Sequence, residues 1–369
     1  MHFLPKEEPV LVHICCAVDS HYFLQKLQAD YPDETLVGFF YDPNIHPYSE
    51  YTLRLLDVKR SCRLLGIELI EGAYDVENWL KAVRGLEHAP EKGARCAVCF
   101  DRRFEVSAQK AAELGEHAYT STLLTSPKKS LKQLKQAGEM LGERFGVTFV
   151  APDYRKASGT QEQNLLAKEA QLYRQDYCGC LYGLTIQREE QQRLADELFS
   201  PLSGQIQPES IEARIALYEE RLKLEETHRP YRIIKERFLN WRLLGGWLKV
   251  RKTVTPAHFL PYSTLKKTYT RGRIAYQTDA LHHMSRDEVK CISLSHYNAL
   301  AKTDYSTVTD LLYNPPFFEA ELKIRQLLVA TAYDMSTIMV TETIPEGKIE
   351  LYLHTETYED VQERLILLS

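Results

Sequence analysis

Along the first half of the chain, apolar residues gather in short runs with turn residues between them. The runs are "PVLVHICC" (9–16), "TLVGFFYDP" (35–43), "IELIEG" (67–72), "HAYTSTLLTS" (117–126) and "VTFVAPDY" (147–154). Runs of this length read as strands. Between them, 20–30, 49–65, 75–84, 97–114 and 128–145 have the spacing of helices. Strands alternating with helices predict an α/β fold, a parallel sheet with helices on both faces. Ligands of such sheets bind at the carboxyl ends of the strands, near the point where strand order reverses. The first run ends at such a place, on two adjacent cysteines, Cys15 and Cys16.

The pattern then changes. Residues 186–226, with "REEQQRLADELF" and "ESIEARIALYEERLKLEE", carry helical periodicity with alternating charge and predict a solvated helix pair or linker. From Thr227 to Tyr276, twelve Lys and Arg residues face a single acid, Glu236, and aromatic residues lie among them. The last 80 or so residues return to mixed composition, with strand-like "STIMVTETI" and "KIELYLHTET" before a short final helix. The expected division is 1–195 as an α/β domain, 196–226 as a helical linker and 227–369 as an α+β extension.

Charge alters this picture only locally. The net charge of −5 over 369 residues gives no overall basic excess, so any nucleic-acid contact must come from a patch such as 227–276. No apolar run approaches the roughly 20 residues that span a bilayer. The start "MHFLPKEEPV" lacks a signal-peptide pattern, and a cytoplasmic protein without membrane association is expected.

Six of the eight cysteines fall in three close groups: Cys15-Cys16, Cys96-x-x-Cys99 and Cys178-x-Cys180. In a reducing compartment, grouped cysteines signal metal or redox chemistry more often than structural bridges. A CxxC turn directs both sulfurs one way, and a pair at a strand end can do the same. Four thiolates from two segments would suit an iron–sulfur cluster. Zinc is the competing metal, although adjacent cysteines are unusual in zinc knuckles. The CxC pair could close a small disulfide ring, with Gly179 supplying backbone freedom, or bind a second metal. The isolated Cys62 and Cys291 read as small buried hydrophobes.

Five motifs in series, "HICCAVDS", "YDPNIHPYSEYTLRLLDVKR", "RCAVCFDRRF", "TSTLLTSPKKS" and "YCGCLYG", resemble the QueH-type epoxyqueuosine reductases over about residues 8–185. The resemblance implies a Rossmann-like domain of the PP-loop or HUP type. It implies the last step of queuosine synthesis, in which epoxyqueuosine at the wobble position of tRNA loses its epoxide oxygen. The reaction takes two electrons and two protons, from an unidentified electron donor and without cobalamin. Carried over by motif, Cys15, Cys16, Cys96 and Cys99 would hold a [4Fe-4S] cluster, and Cys178 and Cys180 would form a redox-active pair. The resemblance also admits an additional mononuclear iron with Asp19 as a ligand. The alternative for Asp19 is a cap on the helix starting near Ser20.

Opening an epoxide needs a Lewis acid or proton donor at oxygen and electrons at carbon. His46, Tyr48 and Glu50, after the second strand, are candidates for proton donation or substrate contact. A histidine before a proline in a polar loop, as His46 is, is more often a structural turn residue. Arg54 and Arg102 read either as phosphate contacts or as solvated helix positions. In the basic aromatic segment, Arg251, Lys252, Lys266 and Lys267 are candidate tRNA contacts. The competing reading there is a helix with tryptophans in the core and arginines paired to acids of 209–226.

Two rival functions remain. ATP pyrophosphatases of the PP-loop class carry S-G-G-x-D-S after the first strand, and "CCAVDS" shares only the final D-S. Cysteines and an alanine stand where glycines would let backbone N–H groups close on phosphate. A tRNA-thiolating enzyme of that class is thus one alternative, and a zinc-stabilised RNA-binding module is the other.

Overall fold

The computed structural model describes residues 10–126, 129–156, 158–198, 206–286, 288–329, 331 and 333–368. Pro9 of the expected first strand, Lys128 of the expected helix 128–145, and 199–205 of the expected linker therefore lie outside the described residues. The chain forms two compact units. One holds the described residues up to Leu198 together with Tyr218–Lys223, and the other holds 206–217 and the described residues from Leu224 onward.

The first unit is built on five parallel strands, β1 (Val10–Ile14), β2 (Leu36–Phe40), β3 (Glu68–Glu71), β4 (Ala118–Ser121) and β5 (Thr148–Phe149). Their order is β3-β2-β1-β4-β5, the Rossmann-like arrangement. β1 lies between two neighbours and beneath helices, and all five of its residues are buried, which is why it reads as an unbroken apolar run. The helices are α1 (Ala17–Asp30), α2 (Tyr48–Leu65), α3 (Val76–Ala82), α4 (Ala94–Leu114), α5 (Leu131–Phe145), α6 (Gly159–Glu169) and α7 (Leu181–Glu190). Strand order reverses between β1 and β4. The loops after these two strands meet there, where the Cys15 amide donates to Thr122 Oγ1 at 3.3 Å.

The expected fourth strand stops at Ser121, and Thr122–Thr125 form one 3₁₀ turn capped by the Ser121 side chain. Helix α6 falls where no element was expected. The region 186–226 is not a solvated helix pair. α7 ends at Glu190, and α8 (Ile211–Glu226) carries buried side chains. Arg221 of α8 is fully buried, donating to Asp57 Oδ1 at 2.7 Å and to the Gln171 carbonyl at 3.0 Å. Its alternating charges hid a packed helix, because the positions that count are a buried Tyr and Arg.

The second unit is α+β. A four-stranded antiparallel sheet, order β7-β6-β14-β9, is made of β6 (Tyr231–Val250), β7 (Thr253–Thr255), β9 (Tyr269–Gly272) and β14 (Ile349–Leu367). A second sheet, order β10-β11-β12-β13-β8, is made of β8 (His258–Phe259), β10 (Ile274–Thr278), β11 (Leu281–Met284), β12 (Lys290–Ser293) and β13 (Ile338–Thr341). One core cluster includes Leu248, Phe259, Met339 and Leu351 from both sheets. The helices α9 (Leu294–Ala301), α10 (Val308–Tyr313) and α11 (Phe318–Leu328) contribute to another, with Ile292 and Val340.

Two expectations fail here. The short final helix is absent, since β14 runs unbroken through "DVQERLIL". That segment contains good helix formers, but it pairs residue by residue with β6, Glu363 opposite Lys235 and Asp360 opposite Phe238. Pairing overrides local propensity. The tryptophan-bearing helix in 227–276 is likewise replaced by β6. Among the described residues, no helix is long and apolar enough to cross a membrane.

Candidate active site

A cavity of about 220 Å³ opens at the carboxyl ends of β1 and β2. A single water or ion needs only ~10–15 Å³ by this measure, so the space suits something larger. Five cysteines line it: Cys15, Cys96, Cys99, Cys178 and Cys180. Cys16 lies behind Cys15, buried, with the two sulfurs 3.9 Å apart.

Helix α1 starts at Ala17, with Cys16 as an extended N-cap residue making no side-chain cap. Asp19 therefore sits inside the first turn and is not the helix cap. Its Oδ2 is 3.7 Å from Cys15 Sγ, and its Oδ1 accepts from Gln163 Nε2 at 2.7 Å. The ligand atoms of Cys15, Cys16 and Asp19 all lie within 4.8 Å of one another. Burial lifts the Asp19 carboxyl above its usual range, partly offset by hydrogen bonds from Cys15 and Gln163. The contact with Cys15, then burial, pushes the Cys16 thiol up. Two thiols and a carboxylate thus lie within reach of one another, with the Lys129 ammonium as the cation that favours the Asp19 carboxylate.

Helix α4 supplies the second group. Cys96, in its first turn, accepts from the Lys92 amide at 3.3 Å. Cys99 is buried in a small cluster with Trp79, Val83 and Cys180, and Cys178 packs beside it. Arg95, Cys99 and Arg103 are spaced i, i+4, i+8 and so share a helix face. Both arginines are buried and line the cavity. Arg95 donates to the Leu86 and Glu87 carbonyls. Arg103 pairs with Asp42 and donates from Nε to His13 Nε2 at 3.3 Å. Burial and Arg103 hold His13 below its usual pKa; its Nδ1 lies 2.8 Å from Ser121 Oγ and its Nε2 3.1 Å from the Tyr41 carbonyl.

The CxC pair is clamped to the loop after β2. The His46 amide donates to the Gly179 carbonyl at 2.8 Å, and Tyr177 OH donates to the His46 carbonyl at 2.7 Å. Gly179 has φ +97°, and a Cβ there would lie 2.8 Å from Ile45 Cγ1, so only glycine fits. Both cysteines are free thiols. They divide the proton unequally: hydrogen bonding to Cys180 lowers the Cys178 thiol, and the same contact raises Cys180. Lys129, at the cavity wall, favours the Cys178 thiolate.

The other expected positions are placed as follows. His46 and Tyr48 do not line the cavity. Burial keeps the His46 imidazole below its usual pKa, and Tyr48 is 59% exposed, stacked on Tyr51. Glu50 is buried, paired with Arg54 at 2.7 Å and accepting from Tyr173 OH. Arg54 is not a solvated helix position. It is buried against the cavity and donates to the Tyr177 carbonyl at 3.0 Å. Arg102 is partly exposed and pairs with Asp75 and Glu105. Cys62 and Cys291 are buried, and burial pushes each thiol up to about 12, as expected of packing residues.

In the second unit, several cations of the basic segment meet acids, two of them on β14. Lys235 pairs with Glu363, Arg237 with Glu359, and Arg364 of β14 with Glu236, while Arg242 meets Glu209. Arg251 pairs with Glu346 at 3.5 Å. Lys252, Lys266 and Lys267 are exposed.

Sequence reasoning missed Asp42, Arg95, Arg103 and Lys129 as cavity groups. For Arg95 and Arg103 the signal was present as helical spacing around Cys99. Asp42 and Lys129 lie inside the motifs "YDPNIHPYSEYTLRLLDVKR" and "TSTLLTSPKKS", but neither has a local spacing that singles it out.

The class that fold and site define is a Rossmann-like α/β domain with free thiols, a carboxylate and buried guanidinium groups around one cavity at its switch point. The family model for epoxyqueuosine reductase QueH matches residues 10–185. An epoxyqueuosine reductase QueH of Helicobacter pylori is 39% identical over 349 residues, 90% of this chain and 94% of that one. Another from Thermotoga maritima is 35% identical over 184 residues, 49% of this chain and 93% of that one. The chain belongs to the QueH family of epoxyqueuosine reductases. A U34-tRNA thiolase from Methanococcus maripaludis, solved with its [4Fe-4S] cluster, covers 60% of this chain and 74% of its own at 16% identity and a TM-score of 0.35, too distant to carry an argument.

Proposed function

We propose that this chain reduces epoxyqueuosine at the wobble position of tRNA to queuosine, using an iron–sulfur centre and no cobalamin. The observation that carries the reading is the cavity that five cysteines line, with Cys16 and Asp19 against its edge. Family membership supplies the substrate. Cys15, Cys16, Cys96 and Cys99 would hold a [4Fe-4S] cluster, and the Cys15, Cys16 and Asp19 spacings of 3.7 and 3.9 Å suit a further single iron. When bound, these metals supply one-electron transfer and a Lewis acid at the epoxide oxygen.

The chain's own groups divide the remaining work. Deoxygenation consumes two electrons and two protons, releases water and leaves a carbon–carbon double bond. Oxidation of the Cys178 thiolate and the Cys180 thiol to a disulfide releases two electrons and one proton, Asp42 supplies the second proton, and an external donor restores the thiols and the carboxyl proton. Cys178 is the member poised as thiolate. Asp42 is the best-placed proton donor. Burial outweighs Arg103 and Arg54 and lifts its carboxyl to about 6, and its Oδ2 has no hydrogen-bond partner. Arg103 holds the other oxygen and fixes the carboxyl's orientation.

The thiolase alternative lacks its glycines in the 15–20 loop. A zinc module gives no use to the split proton of the CxC pair. The Thermotoga maritima relative carries the reductase name with little beyond the length of the family segment, which supports placing the chemistry in 1–195. The segment 231–276 carries the cations assigned to tRNA contact, Arg251, Lys252, Lys266 and Lys267, of which the three lysines are exposed.

The test is anaerobic incubation of iron-loaded protein with epoxyqueuosine-containing tRNA and a reductant, followed by nucleoside mass spectrometry. Queuosine should appear and epoxyqueuosine decline. Fully loaded protein that leaves epoxyqueuosine intact would overturn the reading.

A further inference from the structure

Cations are balanced unevenly along the long β6–β14 pair. At one end, Lys235, Arg237 and Arg364 each have an acid opposite or beside them. At the other end the count reverses. Glu350 is held by Lys348 at 2.5 Å and lies opposite both Lys249 and Arg271 in the register of its two neighbouring strands. Three cations surround one acid, on a sheet edge where Arg271 is exposed.

The same end carries aromatic rings on one face. Trp247, Tyr352 and Tyr269 are cross-strand neighbours on β6, β14 and β9. Trp247 and Tyr352 stack at 6.0 Å and 17°, and Tyr269 stands 6.1 Å from Trp247 and is 44% exposed. The alternating residues Leu248, Ile349 and Leu351 point the other way, into the core. The rings are thus the outer face, where core packing gives no reason for them. Lys249 Nζ lies 4.6 Å from the Trp247 ring centre. Next along β6, Gly245 leaves the face bare: a Cβ there would touch only Tyr352 Cε1, at 3.8 Å. Flat rings, an open strip and surplus cations are what unpaired nucleotides require, because every base has a face to stack and every linkage a phosphate to neutralise.

We propose that this face, Trp247, Tyr269 and Tyr352 with Lys249 and Arg271, binds unpaired nucleotides of RNA by stacking. In this chain the RNA is the tRNA substrate, so that assignment rests on the function proposed above. An acidic protein partner would need the cations but not the aromatic faces, and charge complementarity alone does not explain the rings.

Tryptophan fluorescence tests it in the full-length protein. Trp79 and Trp241 are buried, so Trp247 reports on the surface. An oligouridylate 12-mer should quench it, and an unmodified tRNA transcript should do so more tightly. Tyr352→Ala should weaken oligouridylate binding by roughly 10-fold, the usual loss for one stacked base. Trp247→Phe, read by fluorescence anisotropy of labelled RNA, should retain most affinity, while Trp247→Ala should not. Arg271→Glu should flatten the salt dependence by about one phosphate contact. No quenching by oligouridylate, or unchanged affinity in Tyr352→Ala and Trp247→Ala, would overturn the proposal. So would polyglutamate displacing the RNA from wild type and binding Tyr352→Ala as tightly. Epoxyqueuosine turnover measured on the same samples separates the readings: full turnover without quenching removes only this face, whereas quenching without turnover leaves the face and removes the reductase.

Discussion

The cysteine cavity of the first unit and the basic sheet of the second were both conspicuous in sequence, yet only one kept its first appearance on folding. The cavity draws on 15–19, 42, 95–103, 129 and 178–180, and the added residues enlarge the chemistry already read from the motifs. In the sheet, Lys235 and Arg237 are neutralised by Glu363 and Glu359 of β14, which lies more than a hundred residues away. A motif whose residues act on each other within a few positions survives folding. A charge window does not, because its balance depends on whichever strand pairs with it.

Ways to break this contrast can be ordered by expected effect. Cys96→Ser together with Cys99→Ser should remove most bound iron and abolish turnover, read by iron assay and nucleoside mass spectrometry. Cys62→Ser should leave both near wild type, since that thiol only packs. Asp42→Asn should lower turnover by ~10²-fold or more, the usual contribution of a positioned proton donor. In wild type, the donor is active while protonated, so turnover should fall as pH rises through about 6, and the Asn variant should lose that dependence. Iron content should be unchanged in that variant, which separates proton donation from cluster loss.

Arg103→Ala leaves Asp42 as an unpaired buried carboxylate and should destabilise the protein by ~3–5 kcal/mol in denaturant unfolding. Adding Asp42→Asn should recover part of that loss. The smallest effect belongs to the second unit: Arg237→Ala breaks an exposed pair with Glu359 and should change stability by ~0–1 kcal/mol. A large loss there would show that β14 does more than neutralise β6.

The layout of the sheet was legible because β1, β2 and β4 are buried on both faces and so appear as short apolar runs. The cysteines were legible because their spacing is local. Other features depended on distant partners. β14 was taken for a helix at its end because only its pairing with β6 makes "DVQERLIL" a strand. α8 looked solvated because Arg221 is polar in sequence, yet its partner Asp57 is 164 positions away. Asp42 looked like one more turn acid. Its importance comes from Arg103, from burial and from an oxygen left without a hydrogen-bond partner, none of which a sequence displays. Arg95 and Arg103 were the avoidable omission, since the four-residue spacing around Cys99 already placed them on one helix face.

The most direct test of the central claim counts metal in one anaerobically purified sample. The account predicts brown protein with about four irons and four sulfides per chain, and about one further iron that is lost in Asp19→Asn while the sulfide stays. Colourless protein that retains zinc and takes up no iron or sulfide on anaerobic reconstitution would contradict it.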